Sequence, residues 1–532
     1  MLPRVSRPLA HQCLRRPPCI SYLRLRRHAS SENRVSPSQL ESTGPPPINP
    51  IHERFATSAS VPFDVLRRFL AYSAIGMVLV GATTFTALFA THLWVENVEL
   101  APETDEDVRR WQWDLEAERW SGGFDGGTDP GLGFKGRMAV RSAWVAQHWG
   151  AGAGVGAIGS RAAVHGNKKS GDLDIVEARL EYAQDFLNIA INIATKRSAE
   201  GQVRPETVNE LIARHANIME RMGTMDALYE ARSEYERVWT GLPGKGFNAA
   251  RTALKLGDVN ARLGDRAAAL QWWARAIQLT WEQDPSHGLT ATPKVPESPP
   301  SAPISQRTLA STLVSLSAHY ATTGELKQAQ AVEESSLNLL RSIPQPQSAE
   351  STPPPQILHA LYILHRSALI SVHLAEVLHA RKANPADSMQ WLYRAAESSE
   401  RVALSLTGLP TEHPDAPGSR IPHPPSSEAA LVPVYAKNRS MRQPATNLLR
   451  DARRTAAEAW TLMGILTERN CGTESILKAL EYYERALGWA GVSADRAGGI
   501  GKAGEGTLEK EWNALWSSYV RVREAARKKT DA

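Results

Sequence analysis

The longest uncharged apolar stretch of the chain runs from Phe69 to Val95 and contains no Asp, Glu, Lys or Arg. A bilayer core takes about 20 largely apolar residues as a helix, so this segment is long enough to span it with some tilt. Lipid offers no partner for free backbone groups, which makes a helix the required form. Arg67 and Arg68 precede the stretch, and Glu96, Glu99, Glu103, Asp105, Glu106 and Asp107 follow it before the next basic residue, Arg109. Basic flanks stay on the side where the chain starts, which predicts an N-terminus inside and a C-terminal bulk outside. Tyr72 and Trp94 fall near the two ends, where aromatic rings suit the headgroup layer. The alternative, a buried core helix of a soluble domain, rarely runs this long without a charge. From Asp172 onward the apolar positions recur with a helical period in Ala-rich segments, separated by short turns or Pro-rich loops.

The clearest unit in that region is Leu256-Gly257, Gly264-Asp265, Ala269, Trp273 and Ala276. It is similar to the tetratricopeptide (TPR) repeat, in which small residues let two antiparallel helices approach and an aromatic fills the gap. Asn260 departs from that pattern, since an aromatic is usual there. A second unit aligns through Tyr320, Gly324 and Ala329, with Ser317 and Ser336 in place of Gly and Ala. A third has Trp460, Met463 and Gly464 in its first helix and Ala479, Tyr483 and Ala486 in its second. Its turn, around Asn470-Cys471-Gly472, is about three residues longer than usual for the repeat. Weaker pairs fall at 172–240, with Ala178 and Tyr182, and at 357–405, with Trp391 and Ala395. A single repeat cannot bury its apolar face, so the pairs must stack. The predicted fold is all-α: a TPR-like α-solenoid of antiparallel helix pairs over 172–525, anchored by one N-terminal transmembrane helix at 69–95. Pro-rich loops at 285–305, 343–356 and 407–447, including Pro353-Pro354-Pro355 and Pro422, Pro424 and Pro425, read as disordered insertions. Trp512, Trp516 and Tyr519 mark a capping helix that ends in Arg527, Lys528 and Lys529, suited to a helix C-terminus.

Between span and repeats lies a Trp-rich juxtamembrane module, 96–150. With Trp94 at its edge, it accounts for Trp111, Trp113, Trp120, Trp144 and Trp149. Thr104 followed by Asp107 resembles a helix start, and Val108, Trp111 and Leu115 continue it as an amphipathic helix that breaks at Gly122-Gly123. Arg137 to Trp149 reads as a second short helix. Exposed tryptophans beside a membrane would suit a partner; packing of the module onto the first repeat is the preferred reading. In the Gly-rich linker, 151–171, Gly154, Gly156 and Gly159 satisfy G-x-G-x-x-G. That motif works only between a strand and a helix N-terminus, and here a Trp-bearing helical pattern precedes it. Lys168-Lys169-Ser170 lacks the glycine spacing of a P-loop.

Charge changes the picture at the N-terminus. The formal net charge is +5, yet residues 1–31 hold Arg4, Arg7, Arg15, Arg16, Arg24, Arg26 and Arg27 and no acid. Leaving those arginines out takes 61 basic residues to 54 against 56 acidic ones, a net charge of −2. Nucleic-acid binding thereby loses its main support. The Arg-rich, acid-free, Ser-containing composition of 1–31 is that of a mitochondrial transit peptide, with a disordered basic tail as the alternative. Residues 32–62 carry Gly44-Pro45-Pro46-Pro47 and read as a disordered tether. Leader and span together predict a single-pass protein of the mitochondrial inner membrane, N-terminus in the matrix and C-terminal domain in the intermembrane space. Cys13, Cys19 and Cys471 allow neither a disulfide framework nor a cysteine-based metal site.

No catalytic constellation is present. His359, His365, His373 and His379 share one helical region, but their spacings do not give H-E-x-x-H ligand geometry. No G-x-S-x-G motif, kinase set or paired nucleophile and base is found. The expectation is a non-enzymatic scaffold without cofactor or metal, as befits a repeat array.

Leader, single span, Trp-rich module and degenerate TPRs together resemble the fungal TPR-containing adaptor subunit of the mitochondrial inner-membrane i-AAA protease. The likeness covers the layout of residues 60–525 and implies a scaffold that recruits unfolded proteins to an AAA protease complex, in mitochondrial protein quality control. The long Pro-rich insertions depart from it. A TPR assembly factor for a respiratory-chain complex would share the same topology. TPR grooves are lined by first helices, which points to Arg251, Leu254, Asp258 and Arg262 as the client-binding face of the clearest repeat. TPR domains that clamp chaperone C-termini carry Lys and Asn there; Leu254 and Asp258 disfavour that mechanism.

Overall fold

The computed structural model describes residues 50–150, 157–159, 175–242, 244, 246–281, 293–346, 351–409, 430–469, 473–490 and 509–530. The leader 1–31, most of the tether 32–62, most of the linker 151–171, parts of the three Pro-rich insertions and the turn Asn470-Cys471-Gly472 lie outside them. The chain divides into two units, Met1–Ala82 and Thr83–Ala532.

Helix α1 spans Pro50–Trp94. Residues 50–62, expected in the disordered tether, are therefore helical, and Pro50 sits in the first helical turn, where a missing N–H costs nothing. Most side chains along the apolar stretch are exposed, with Phe69 at 65% and Met77 at 70%, while His92 and Val95 at its C-terminal end are buried. This helix is long and apolar enough to cross a membrane. Among the described residues one other helix, Pro354–Ala380, is comparably long and apolar, but it is mostly buried and is a core helix.

Among its described residues the second unit is nearly all helical. After a π-helical turn at Val95–Glu99 come α2 (Glu106–Arg110), α3 (Trp113–Glu116), α4 (Gly133–Trp149), α5 (Ala178–Ala199), α6 (Pro205–Met222) and α7 (Met225–Gly241). They are followed by α8 (Phe247–Arg262), α9 (Arg266–Trp281), α10 (Pro303–Thr323), α11 (Leu326–Arg341), α12 (Pro354–Ala380) and α13 (Pro385–Thr407). The last are α14 (Pro433–Lys437), α15 (Arg439–Glu468), α16 (Thr473–Ala490) and α17 (Glu509–Thr530). Local signals explain the boundaries. Thr224, Asn384 and Asn438 cap N-termini with their side chains. Prolines open α6, α10, α12, α13 and α14, where a missing N–H costs nothing.

From α4 to α13 each helix packs on the next, and the series continues through α15, α16 and α17. Helices α8, α10, α12 and α15 also touch one another in that order. The apolar core is accordingly a string of clusters along the array rather than one centre.

Further expectations need correction. The Pro-rich stretches read as disordered insertions are partly helical: 303–305 open α10, 354–356 open α12, and 433–437 and 439–447 belong to α14 and α15. The amphipathic helix expected from Thr104 through Leu115 is broken: Asp105, not Thr104, is the cap, and the helix stops at Trp111 because Gln112 takes φ 56. The linker also supplies one strand of a short antiparallel ladder, β1 (Ala157–Gly159), which pairs with β2 (Ile175–Glu177) beyond it in register Ile158↔Val176. Gly159 of the G-x-G-x-x-G match sits in that ladder and α4 is the described element before it, whereas Gly154 and Gly156 lie outside the described residues.

Candidate functional site

The residues that gather most across the array are those of the juxtamembrane module, in a strap from Trp111 to Glu118. Arg307 on α10 is 1% exposed. It donates from Nε to Glu116 Oε2 at 2.5 Å, from Nη1 to the Trp111 carbonyl at 3.1 Å and from Nη2 to the Gln112 carbonyl at 2.9 Å. Those two carbonyls would otherwise have continued the helix, which explains the break at Gln112. The same guanidinium lies 3.8 Å from the centre of the Trp113 ring. Trp113 is fully buried, meets Tyr362 edge-on at 6.5 Å and donates Nε1–H to the Pro355 carbonyl at 2.9 Å. The Ile304 amide donates to Gln112 Oε1 at 3.1 Å.

On α8, Arg251 donates to the carbonyls of Leu115 at 2.9 Å and Glu116 at 3.3 Å. On α6, Arg214 pairs with Glu118 at 2.6 Å and Asn217 donates to it at 3.2 Å. Burial pushes the Glu118 carboxyl up, but Arg214, His148 and Arg221 outweigh it and hold it below the ordinary range. The strap thus crosses the alternate helices α6, α8, α10 and α12, with Val108 and Trp113 sharing a core cluster with α15.

Upstream, the chain is held equally firmly. Glu96 accepts from the Thr128 amide at 3.0 Å and hydroxyl at 2.8 Å and pairs with Arg137 at 2.9 Å and Arg141 at 3.1 Å. From α15, Arg439 donates to the Val98 carbonyl, Ser440 to Glu103, and Arg442 pairs with Glu99 at 2.7 Å.

The face expected to receive clients is therefore differently disposed. Arg251 serves the strap. Leu254 is half-buried against the cluster of α9, α10 and α11. Asp258 accepts Trp273 Nε1–H at 3.0 Å, and burial pushes its carboxyl up to about 6. Arg262 donates to the Glu220 carbonyl at 3.0 Å. The four do not line one open groove. Sequence reasoning missed Arg307, Tyr362, Arg214 and Glu116; the available signal was a lone arginine among Ile304, Leu309 and Ala310.

The residues expected in helix–helix packing fall between paired helices. Ala269, Ala276, Ala329, Ala479 and Ala486 are buried, as are Trp273, Tyr320 and Tyr483. Gly264 and Gly324 take left-handed turn positions at φ 85 and 83. A Cβ at Gly257 would lie 2.4 Å from the Trp273 ring, and one at Gly464 2.7 Å from Tyr483. Gly257→Val is expected to cost about 2 kcal/mol by overpacking. Thermal unfolding of the detergent-solubilised chain followed by circular dichroism would check it; an unchanged transition would mean the indole can step aside.

The histidines go separate ways. His359 accepts from Arg307, and His365 meets Thr455 at 3.1 Å. His373 meets Ser317 at 2.9 Å, and His379 meets Arg469 at 2.8 Å. Burial, aided by Arg307 at His359 and by Arg366 at His365, takes both rings down to about 3. Elsewhere His215 on α6 and Glu230 and Glu234 on α7 bring possible ligand atoms within 4.8 Å of one another, with His215 and Glu234 already bonded at 2.7 Å.

Comparison with protein-family models and with curated proteins finds no match to this chain.

Glu333 is buried, accepts from the Ser317 hydroxyl at 3.0 Å, and burial raises its carboxyl to about 7. Unfolded, it ionises near its ordinary 4.5, so the native state holds the extra proton and loses stability as pH rises from 4.5 through 7. Glu333→Gln removes that dependence. A stabilisation on the order of 2 kcal/mol is expected at pH 8, fading to nothing by about pH 4.5. Melting curves of both proteins across this range would check it, and parallel pH profiles would count against a buried neutral carboxyl.

Proposed function

We propose that this chain is a non-enzymatic, membrane-anchored TPR-like scaffold that recruits unfolded proteins to the i-AAA protease of the mitochondrial inner membrane. In this reading α1 is the transmembrane anchor, the N-terminus faces the matrix and the array faces the intermembrane space. The observation that carries the scaffold part is that successive helices pack in pairs while alternate helices jointly grip a separate short segment of chain. A recurring contact supports the repeat character. Tyr235 bonds Glu220, Trp273 bonds Asp258 and Tyr483 bonds Glu468, each an aromatic donor on a second helix and an acid fifteen residues earlier on the first.

The partner is named from the resemblance in layout. Affinity purification of the tagged chain from detergent-solubilised mitochondria should bring down an AAA protease. Recovery of respiratory subunits in its place would favour an assembly factor. Protease added to mitoplasts should remove a C-terminal tag; a protected tag would reverse the topology drawn from Arg67 and Arg68.

A further inference from the structure

The geometry points to a peptide-binding site on α6, α8, α10 and α12 whose resident ligand is the chain's own strap, Trp111–Glu118. The ligand class is an acidic peptide with a tryptophan and, three residues later, a carboxylate. This deepens the scaffold reading and rests on it for the existence of a competing partner.

Much of the grip falls on groups that any peptide offers. Arg307 takes the carbonyls of Trp111 and Gln112, and Arg251 those of Leu115 and Glu116. Such contacts hold a backbone without reading its sequence. Selectivity comes from two side chains. Trp113 fills the space between Arg307 and Tyr362 and reaches the Pro355 carbonyl, and Glu116 takes the Arg307 Nε–H.

Charge defines the class further. Arg214, Arg251 and Arg307 face the strap, and Glu116 and Glu118 answer them. A neutral ligand would leave buried guanidinium groups uncompensated, a strongly unfavourable state. The strap is also not a self-standing element. It holds only the four-residue α3, joined through a left-handed Gln112 to the five-residue α2 just before it. Helices this short do not persist alone, so the strap takes its shape from the site.

The test uses the full-length chain in detergent and a fluorescein-labelled peptide with the sequence of Val108–Trp120. A Trp113→Ala, Glu116→Gln variant loosens the resident strap. Fluorescence anisotropy should then show saturable binding at least ten times tighter than to the parent. A peptide carrying the same two replacements should not bind, and adding Arg307→Met to the variant should abolish binding. A folded variant that binds neither peptide, or both equally, would overturn the inference. Should the variant fail to fold, hydrogen exchange on the parent decides. Strap amides that open before the flanking helices support an exchangeable ligand, and amides that exchange only with global unfolding make the strap a fixed part of the core. Co-purification is read separately. Peptide binding without an AAA protease would remove only the proposed partner, and a co-purified protease without peptide binding would remove only this inference.

Discussion

Glu400→Ala is expected to destabilise the C-terminal part of the array by about 4 kcal/mol, the cost of breaking a buried ion pair from one side. Glu400 on α13 is 1% exposed and Arg485 on α16 is 4% exposed. The carboxylate accepts from Arg485 Nε at 2.9 Å and Nη2 at 2.7 Å, from Trp460 Nε1 at 2.6 Å and from Trp489 Nε1 at 2.7 Å. Alanine would take the carboxylate away from a buried cation and two buried indole N–H groups, and the lost hydrogen bonds add to the cost. The guanidinium lies 3.9 Å from the Trp460 ring centre, a contact that survives but does not replace the carboxylate. Glu400→Gln should fall between, since an acceptor remains while the charge does not. Replacing both partners with leucine should recover part of the stability, because the desolvated charges leave together. Urea unfolding followed by tryptophan fluorescence would measure all three; equal stability of Glu400→Ala and the parent would show that water reaches the site.

Arg307→Ala should cost a similar amount, about 3–5 kcal/mol, and should loosen the strap first. One side chain holds a carboxylate, two carbonyls, a tryptophan face and His359. Arg307→Lys is expected to rescue little, because an ammonium lacks the planar fork that meets these groups together. Limited proteolysis would reveal the order: cleavage near Trp111–Glu118 should precede loss of helical signal. Simultaneous loss would indicate that strap and array unfold as one.

The parts of this fold that could be read from the sequence are those written in short-range spacing. The apolar run at 69–95 has no charge to hide, and α1 covers it. Gly257 with Trp273, and Gly464 with Tyr483, sit one turn of chain apart, and their close approach follows from a missing Cβ. The strap follows no such rule. The helices that grip it supply partners from 96 to 242 residues away, and many of the bonds end on carbonyls, which every residue has. Arg251 looked like a free lining residue because nothing local shows that Leu115 and Glu116 will occupy it. The helix expected through Leu115 failed for the same reason: Trp111, Gln112 and Leu115 have adequate helical character, and a distant arginine outbids it. The surplus of tryptophan in residues 94–150 was the one local hint that the module is interior material.

The strap also sets an order of events during synthesis. Residues 96–118 leave the ribosome long before their partners: Arg307 follows Glu116 by 191 residues, and Arg442 follows Glu99 by 343. Helix pairs such as α8 with α9 close locally and can form as they emerge, whereas contacts at such separations come late and slowly. Until α15 exists, Trp111 and Trp113 have no finished site, and Glu99 and Glu103 have no cation or hydroxyl to meet. The nascent chain therefore carries an uncovered aromatic segment through most of its translation, the kind of surface that chaperones hold. Truncation before Pro303 would make that temporary exposure permanent, since it removes Arg307, Pro355 and Tyr362 together.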